Sequence, residues 1–499
     1  MLMRHTLIYS LSRGLAGVFN IVAIMALTRL LPPSDYGVYT LMITSIMLVN
    51  AVFFQWLRMS LLRYYESNED RVKLLSTICI GFHLIMLVSL VLCVLAAVLW
   101  ADFRASGWVI VETFAYLWLF AWFELSLTLY RAQLQPGPYG KLFLSKNILT
   151  LSIAVLLVAL GYGIHGVMIG MIGGTLVPVA IMAVRQWREV RFSQVDYKLM
   201  ASLIKYGAPL TVSFTMSFII FSAGRVMLGW MDSVAATGLY AVSYDFTQQS
   251  VLLLMTIVNL AAYPLAVKKL EKHGEEAARS QLKQNAVLLL LLSIPATAGL
   301  IVLTPSIAYV LLGEAYRDTA AVVFPIVALA AFIQGIKTFY FDLSFQMSRQ
   351  TNKQMIPVLA AVAANILLNL WWIPSWGIMG AAYAALVSYV IGTAMSIGLG
   401  QKLFRLPFPM LDFVKIVLAA GAMSLVLLPL RTYTGVPMLA VQVICGGIAF
   451  YIAAWLLRVD GVKTLTASAL SKLKRGRSRQ APAAAGIEAQ ASGKGGNAG

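Results

Sequence analysis

Charged side chains inside long apolar runs are the first candidates for chemistry in this sequence. Arg13, Arg29, Arg58, Arg225 and Lys337 are the basic residues within or at the ends of such runs that stand out. Four acidic residues, Glu112, Glu124, Asp245 and Asp342, lie at comparable depth. A charge near the centre of a bilayer costs at least about 2.5–3.5 kcal/mol, so it faces a cavity or a partner rather than lipid. An arginine fork donates two parallel, charge-assisted hydrogen bonds, which suits phosphate. A carboxylate balances such a cation, or takes up a proton or sodium ion.

Depth separates these candidates. Arg29 and Arg58 lie near the ends of their runs, where a long side chain also reaches the membrane interface. Arg13 sits deeper in the first run, open to a cavity role or to buried pairing with Glu124. Arg13, Arg225 and Lys337 are expected as substrate-binding cavity cations, with Arg58 next. Glu124 and Asp245 are expected as charge partners or as the site of ion coupling. His83 reads as packed core. Asn20, Gln248, Gln249, Gln334, Asn365 and Asn369 suit either sugar hydroxyls or neighbouring helices. No catalytic residue, cofactor or metal is expected, because Cys79, Cys93 and Cys445 are scattered through apolar segments without metal-ligand spacing.

The elements that must hold these charges are membrane helices. Apolar residues make up 60% of the 499 positions and charged residues only 12%, where a soluble chain carries about a quarter charged. Apolar runs of about 20 residues, each long enough to cross a hydrocarbon core, follow one another almost end to end. Spans are expected at 7–30, 37–61, 75–100, 108–130, 145–161, 166–184, 206–230, 241–266, 286–303, 321–343, 355–373, 378–399, 414–430 and 436–457. Continuous apolarity makes them helices, since barrel strands are shorter and alternate. The first run, interrupted by Arg13 and Asn20, is expected to be retained rather than cleaved.

With the N-terminus in the cytoplasm, about 30 of the 38 Lys and Arg fall in cytoplasmic loops and termini. The outer loops hold Arg104, Arg317 and Arg431. Both termini are therefore expected in the cytoplasm. The net charge of +18 reads as an orientation signal rather than a nucleic-acid surface.

Two echoes point to an internal repeat. Gly37-Val38-Tyr39 and Gly238-Leu239-Tyr240 are offset by 201 residues and begin the second and eighth spans. His165-Gly166-Val167-Met168 and Trp376-Gly377-Ile378-Met379 are offset by 211 and separate spans five from six and eleven from twelve. An even number of helices per unit makes the repeats parallel, with substrate expected at their interface. The fold class is an all-α polytopic membrane protein of about 14 transmembrane helices, in two parallel six-helix lobes around a central cavity. The lobes are expected at 1–200 and 201–400, transmembrane helices 13 and 14 in 401–460, and a basic, unstructured cytoplasmic tail at 461–499.

The segment Thr28-Arg29-Leu30-Leu31-Pro32-Pro33-Ser34-Asp35-Tyr36-Gly37-Val38-Tyr39 resembles the first loop of the polysaccharide-export branch of the multidrug/oligosaccharidyl-lipid/polysaccharide exporter superfamily. Asn365 to Asn369, Ile373-Pro374 and Gly377 to Ala382 resemble its eleventh and twelfth helices. The resemblance, over about residues 5–457, implies a flippase, not an enzyme, that moves undecaprenyl-diphosphate-linked repeat units across the bacterial inner membrane by alternating access. The product would serve exopolysaccharide or O-antigen synthesis. The implied partners are the polyprenyl-diphosphate-linked oligosaccharide, membrane lipids, and polysaccharide polymerase and export proteins. Three alternatives stay open: a cation-coupled multidrug exporter of the same superfamily, a peptidoglycan-precursor flippase, and a membrane-embedded polymerase or glycosyltransferase. The sequence contains no Gly-x-x-x-x-Gly-Lys-Ser/Thr loop, which argues against an ATP-driven pump.

Overall fold

The computed structural model describes residues 17–99 and 107–462, and among these every regular element is a helix. Arg13 and most of the basic tail lie outside the described residues. Among the described residues nine helices are long and apolar enough to cross a bilayer, and three of them turn back on themselves at glycines. Pro136–Trp187 breaks at Gly161 and Gly163, Val234–Val302 at Gly274, and Thr351–Leu403 at Gly377. With the shorter apolar helices Gly17–Leu30 and Phe218–Met231, the described chain provides the fourteen crossings expected from the sequence.

In chain order these are α1 (Gly17–Leu30), α2 (Pro33–Tyr64), α3 (Arg71–Leu99), α4 (Gly107–Ala132), α5 (Pro136–Leu157), α6 (Gly163–Pro178) and α7 (Tyr197–Met231). The others are α8 (234–273), α9 (275–302), α10 (Glu314–Met347), α11 (355–376), α12 (378–403), α13 (Met410–Leu427) and α14 (Val436–Leu456). A short helix, Thr304–Leu311, joins α9 to α10.

The two lobes meet by a reciprocal contact. A Cβ on Gly37 would lie 1.9 Å from the Val234 carbonyl oxygen, and one on Gly238 would lie 2.2 Å from the Pro33 oxygen. Each donor–target pair maps onto the other by the same shift of 201 residues. Two antiparallel contacts of this kind are what a two-fold relation between lobes produces, so the first echo marks the axis of the fold.

The second echo needs a correction of register. Gly163 (φ +50°) and Gly377 (φ +52°) occupy equivalent positions at the α5–α6 and α11–α12 turns, a shift of 214 rather than 211. Gly166 packs on the backbone of Leu157 and Val158, and Gly380 on that of Trp372 and Ile373, again 214 apart. Gly166 and Gly377 share a sequence context but not a structural role. Only glycine holds a left-handed turn there without a Cβ penalty, and a carboxylate faces each turn, Asp35 at Gly163 and Asp232 at Gly377.

The basic-loop ends of the helices gather on one side. There the Asp196 carboxylate caps α7, accepting from the amides of Lys198 (2.8 Å) and Leu199 (3.2 Å), and pairs with Lys73 Nζ at 2.6 Å. Ser76 and Thr77 on α3 accept from the amides of Arg191 and Asp196, tying the 188–196 loop to the lobe.

Candidate functional site

A cavity of about 190 Å³ lies between the lobes, walled by α1, α2, α7 and α8. Each helix contributes one stripe at three- and four-residue spacing: Asn20, Ile24 and Leu27 from α1; Tyr36, Thr40 and Thr44 from α2; Phe221 and Arg225 from α7; Asp245 and Gln249 from α8. The walls are thus the two symmetry-related pairs, α1–α2 and α7–α8.

The lobes touch on both sides of this cavity. At the end away from the basic loops, Gly37 and Gly238 bring α2 and α8 into backbone contact. There Arg29 donates to the Val310 oxygen at 2.6 Å and the Gly313 amide to Thr28 Oγ1 at 3.2 Å. At the basic-loop end, Ser60 Oγ donates to the Leu203 oxygen at 2.7 Å, and a Cβ on Gly207 would meet the Trp56 oxygen at 2.5 Å.

Arg225 is the buried cation of this cavity. Only 4% of its side chain is exposed, and it pairs with Asp245, of which 30% is exposed. Its guanidinium lies 4.3 Å from the Phe221 ring centroid and 5.4 Å from that of Tyr244. Those faces compensate part of the desolvation. The Nε–H has no hydrogen-bond partner, nor does Thr44 Oγ1 across the cavity. Under the 201-residue shift Arg225 and Asp245 correspond to Ile24 and Thr44. Among the described residues, the walls carry charge on the α7–α8 side only.

A second cavity of about 90 Å³ shares Asn20, Ala23, Leu27 and Tyr39 with the first and extends to α5. It is lined by Lys146, Asn147 and Thr150. Lys146 makes no ion pair among the described residues and sits 5.8 Å from the Phe123 ring centroid. With the fifth span expected to begin at 145, Lys146 reads as a helix-end residue and is not among the expected cavity cations. In the structure α5 starts at Pro136, which puts Lys146 about three turns inside.

The remaining candidates are not gathered at this cavity. Arg58 on α2 pairs with Glu124 on α4 at 3.2 Å within the first lobe and also reaches Gln55. Lys337 begins a π turn in α10, and the Asp342 amide donates to the Lys337 oxygen at 2.8 Å. This puts the two side chains on one face, with Lys337 Nζ 2.8 Å from Asp342 Oδ2. Ser396 (2.7 Å) and Gln354 (3.3 Å) complete the carboxylate's partners, all inside the second lobe. Gln248 bonds Gln334, joining α8 to α10, and Asn369 bonds Asn365 one turn back. Glu112 accepts from His165 at 2.9 Å. His83 bonds the Cys79 oxygen and packs among Phe82 and Trp122.

Residues 26–321 match the family described as polysaccharide biosynthesis protein. The chain belongs to that family. The matched segment runs from α1 into α10 and contains the Gly37–Gly238 contact, Lys146, Arg225 and Asp245. Two curated relatives come from Haloferax volcanii. The "Probable low-salt glycan biosynthesis flippase Agl15" is 22% identical over 54% of this chain and 57% of its own length. The "Probable flippase AglR" is 24% identical over 45% and 48%. The chain spans about half the length of the curated relatives it matches. Among solved structures, the lipid II flippase MurJ in an inward closed conformation superposes with a TM-score of 0.76 at 16% identity, covering 91% of this chain and 99% of that one. An inward-facing multidrug resistance MATE family transporter of the MOP superfamily gives 0.55 at 13% identity, covering 77% and 93%. These likenesses establish the fold.

Proposed function

We propose that this polysaccharide biosynthesis protein is a flippase that carries a polyprenyl-diphosphate-linked oligosaccharide through the cavity between its lobes. The observation that carries the reading is Arg225, a buried arginine facing the interlobe cavity, in a chain of this family and fold. An anionic headgroup suits that cation, whereas a cationic drug would be repelled by it and by Lys146. The flippase names of the curated relatives support the same reading.

In this scheme the pyrophosphate competes with Asp245 for the Arg225 guanidinium, and Lys146 adds a second positive charge. A proton or sodium ion taken up by Asp245 neutralises the displaced carboxylate, coupling cargo release to an ion. The lobes rock about the Gly37–Gly238 contact, opening the cavity to each face in turn. Arg58 and Lys337, paired within their own lobes, hold the helices that line the path. A separate apolar groove of about 550 Å³ runs between α8, α9, α13 and α14, lined by Leu254, Leu292, Met423, Leu427 and Phe450. Its chemistry suits the lipid chain. By the basic-loop asymmetry both termini face the cytoplasm of a bacterial inner membrane. The cargo is an undecaprenyl-linked repeat unit for exopolysaccharide or O-antigen, handed to polymerase and export proteins outside.

The test follows the sidedness of lipid-linked oligosaccharide in cells depleted of the protein, with a sugar probe confined to the outer side. Accumulation of complete repeat units that the probe cannot reach is the expected result. Accessible repeat units without polymer would instead indicate a polymerase and overturn the reading.

A further inference from the structure

At the basic-loop end of the first lobe, away from the interlobe cavity, the ends of α2 and α4, the start of α3 and the segment 185–189 beyond α6 line an open cup of about 670 Å³. Three arginines line it, Arg71, Arg185 and Arg188, with two carboxylates, Glu66 and Glu189. None of these five forms an ion pair among the described residues, although both signs share one cup.

Three further observations distinguish the cup from an ordinary basic loop cluster. Gln186 lines it, and the amide at the end of its side chain has both nitrogen and oxygen shielded from solvent and hydrogen-bonded to no protein atom. A buried donor and acceptor left without partners are costly, and a turn of the Gln186 side chain toward the cup would offer both to a ligand. The turn after α4 carries Leu134 at φ +56°, a strained conformation for a branched side chain. That turn sets Gln133 and Gln135, on either side of the exposed Leu134, into the wall of the cup. Finally, the rings of Tyr65 and Tyr130 form part of the wall, with Arg71 held 5.1 Å from the Tyr65 centroid.

From these features we infer that the cup is a binding site for a phosphate ester of a sugar. The guanidinium forks fit phosphate oxygens. Two carboxylates in the same wall oppose a bare anion and leave a net charge of only one positive, so the ligand must also bring hydrogen-bond donors. Sugar hydroxyls supply those to Glu66 and Glu189, and pair with the Gln186 amide once its side chain turns into the cup. The ligand is either the headgroup of a lipid-linked sugar, captured before it reaches the interlobe cavity, or a free sugar phosphate that reports precursor supply. The first source rests on the flippase reading, and the second does not.

The experiment uses the full chain in phosphatidylcholine nanodiscs, with glucose 1-phosphate as probe and calorimetry as readout. Saturable binding is expected, weakened at least tenfold in R71Q/R185Q/R188Q and unchanged in K353Q, which removes an exposed lysine of the second lobe. The double variant R185Q/R188Q leaves the Arg71–Tyr65 contact intact and is expected to weaken binding as well, with an unaltered thermal midpoint. Absence of saturable binding, or equal affinity in wild type and both cup variants, overturns the proposal. Displacement of the probe by nanodiscs doped with a polyprenyl-diphosphate sugar assigns the site to the lipid-linked headgroup. Failure of that lipid to displace a bound probe assigns it to the free sugar phosphate. Equal displacement by phosphatidylglycerol would mean that any anionic headgroup fits, which also overturns the proposal. Loss of translocation is read separately, so the flippase reading can fail while cup binding stands.

Discussion

Gly37 and Gly238 each press against the backbone of the other's helix, at virtual Cβ distances of 1.9 Å and 2.2 Å from carbonyl oxygens. No side chain fits either point without moving α2 from α8. Gly37→Ala and Gly238→Ala are expected to destabilise the protein by about 1–3 kcal/mol each through overpacking. Gly421→Ala, in α13 with open space around its Cβ, is expected to be neutral or slightly stabilising. Thermal midpoints of the three variants in one detergent check this, and an equal response at all three positions would contradict the axis contact.

The Arg225–Asp245 pair makes an asymmetric prediction. Removing the carboxylate leaves a guanidinium that is almost fully buried, whereas removing the arginine leaves a carboxylate with partial access to the cavity. Breaking a buried pair costs about 3–5 kcal/mol when the survivor stays buried, so Asp245→Asn approaches that loss and Arg225→Gln falls below it. Both variants are expected to lose translocation. A double-mutant cycle read by denaturation should return a coupling energy of about 0.5–3 kcal/mol, and a value near zero would refute the pairing.

Lys146 offers the opposite balance. Its ammonium has no carboxylate partner among the described residues, so Lys146→Gln is expected to leave the folded protein nearly as stable as wild type. If the amine contacts the cargo's phosphate, losing a charged hydrogen bond of about 1.5–3 kcal/mol lowers apparent affinity at least tenfold. Transport assays over a range of substrate concentrations separate this from a folding defect.

Much of the fold was legible because its signals are strong and local. Bilayer crossing demands long apolar runs, and topology demands basic loops on one side, so composition alone yields fourteen crossings. The Gly-x-Tyr echo was legible for a different reason: close backbone approach leaves glycine no substitute, and the two-fold relation writes it twice. The site was less legible. Lys146 was missed because the first turns of α5, Pro136 to Lys141, are polar, and hydropathy does not register a helix that begins in water. Depth marked Arg225 and Lys337 equally, but a π turn gives Lys337 a carboxylate five residues away in its own helix. That change of period has no signature in the apolar pattern. The Gly166–Gly377 match failed by three residues because small residues cluster at both tight turns, and sequence context cannot say which glycine takes the left-handed conformation.

A last prediction concerns pH at the basic-loop face. The Lys73 ammonium, with the Leu199 and Lys198 amides, holds the Asp196 carboxyl below the usual carboxylate range. A carboxyl whose folded-state pKa is depressed contributes stability above its unfolded pKa, and loses it as pH falls through the folded value. Wild type should therefore lose stability on acidification below about pH 4, where unfolded aspartates protonate. Asp196→Asn keeps an oxygen for capping α7 but has no charge to lose. It should start less stable at pH 7, and its deficit relative to wild type should shrink toward pH 3. Thermal midpoints of both proteins across that range measure the difference, and a deficit constant with pH would show that Asp196 acts as a cap alone.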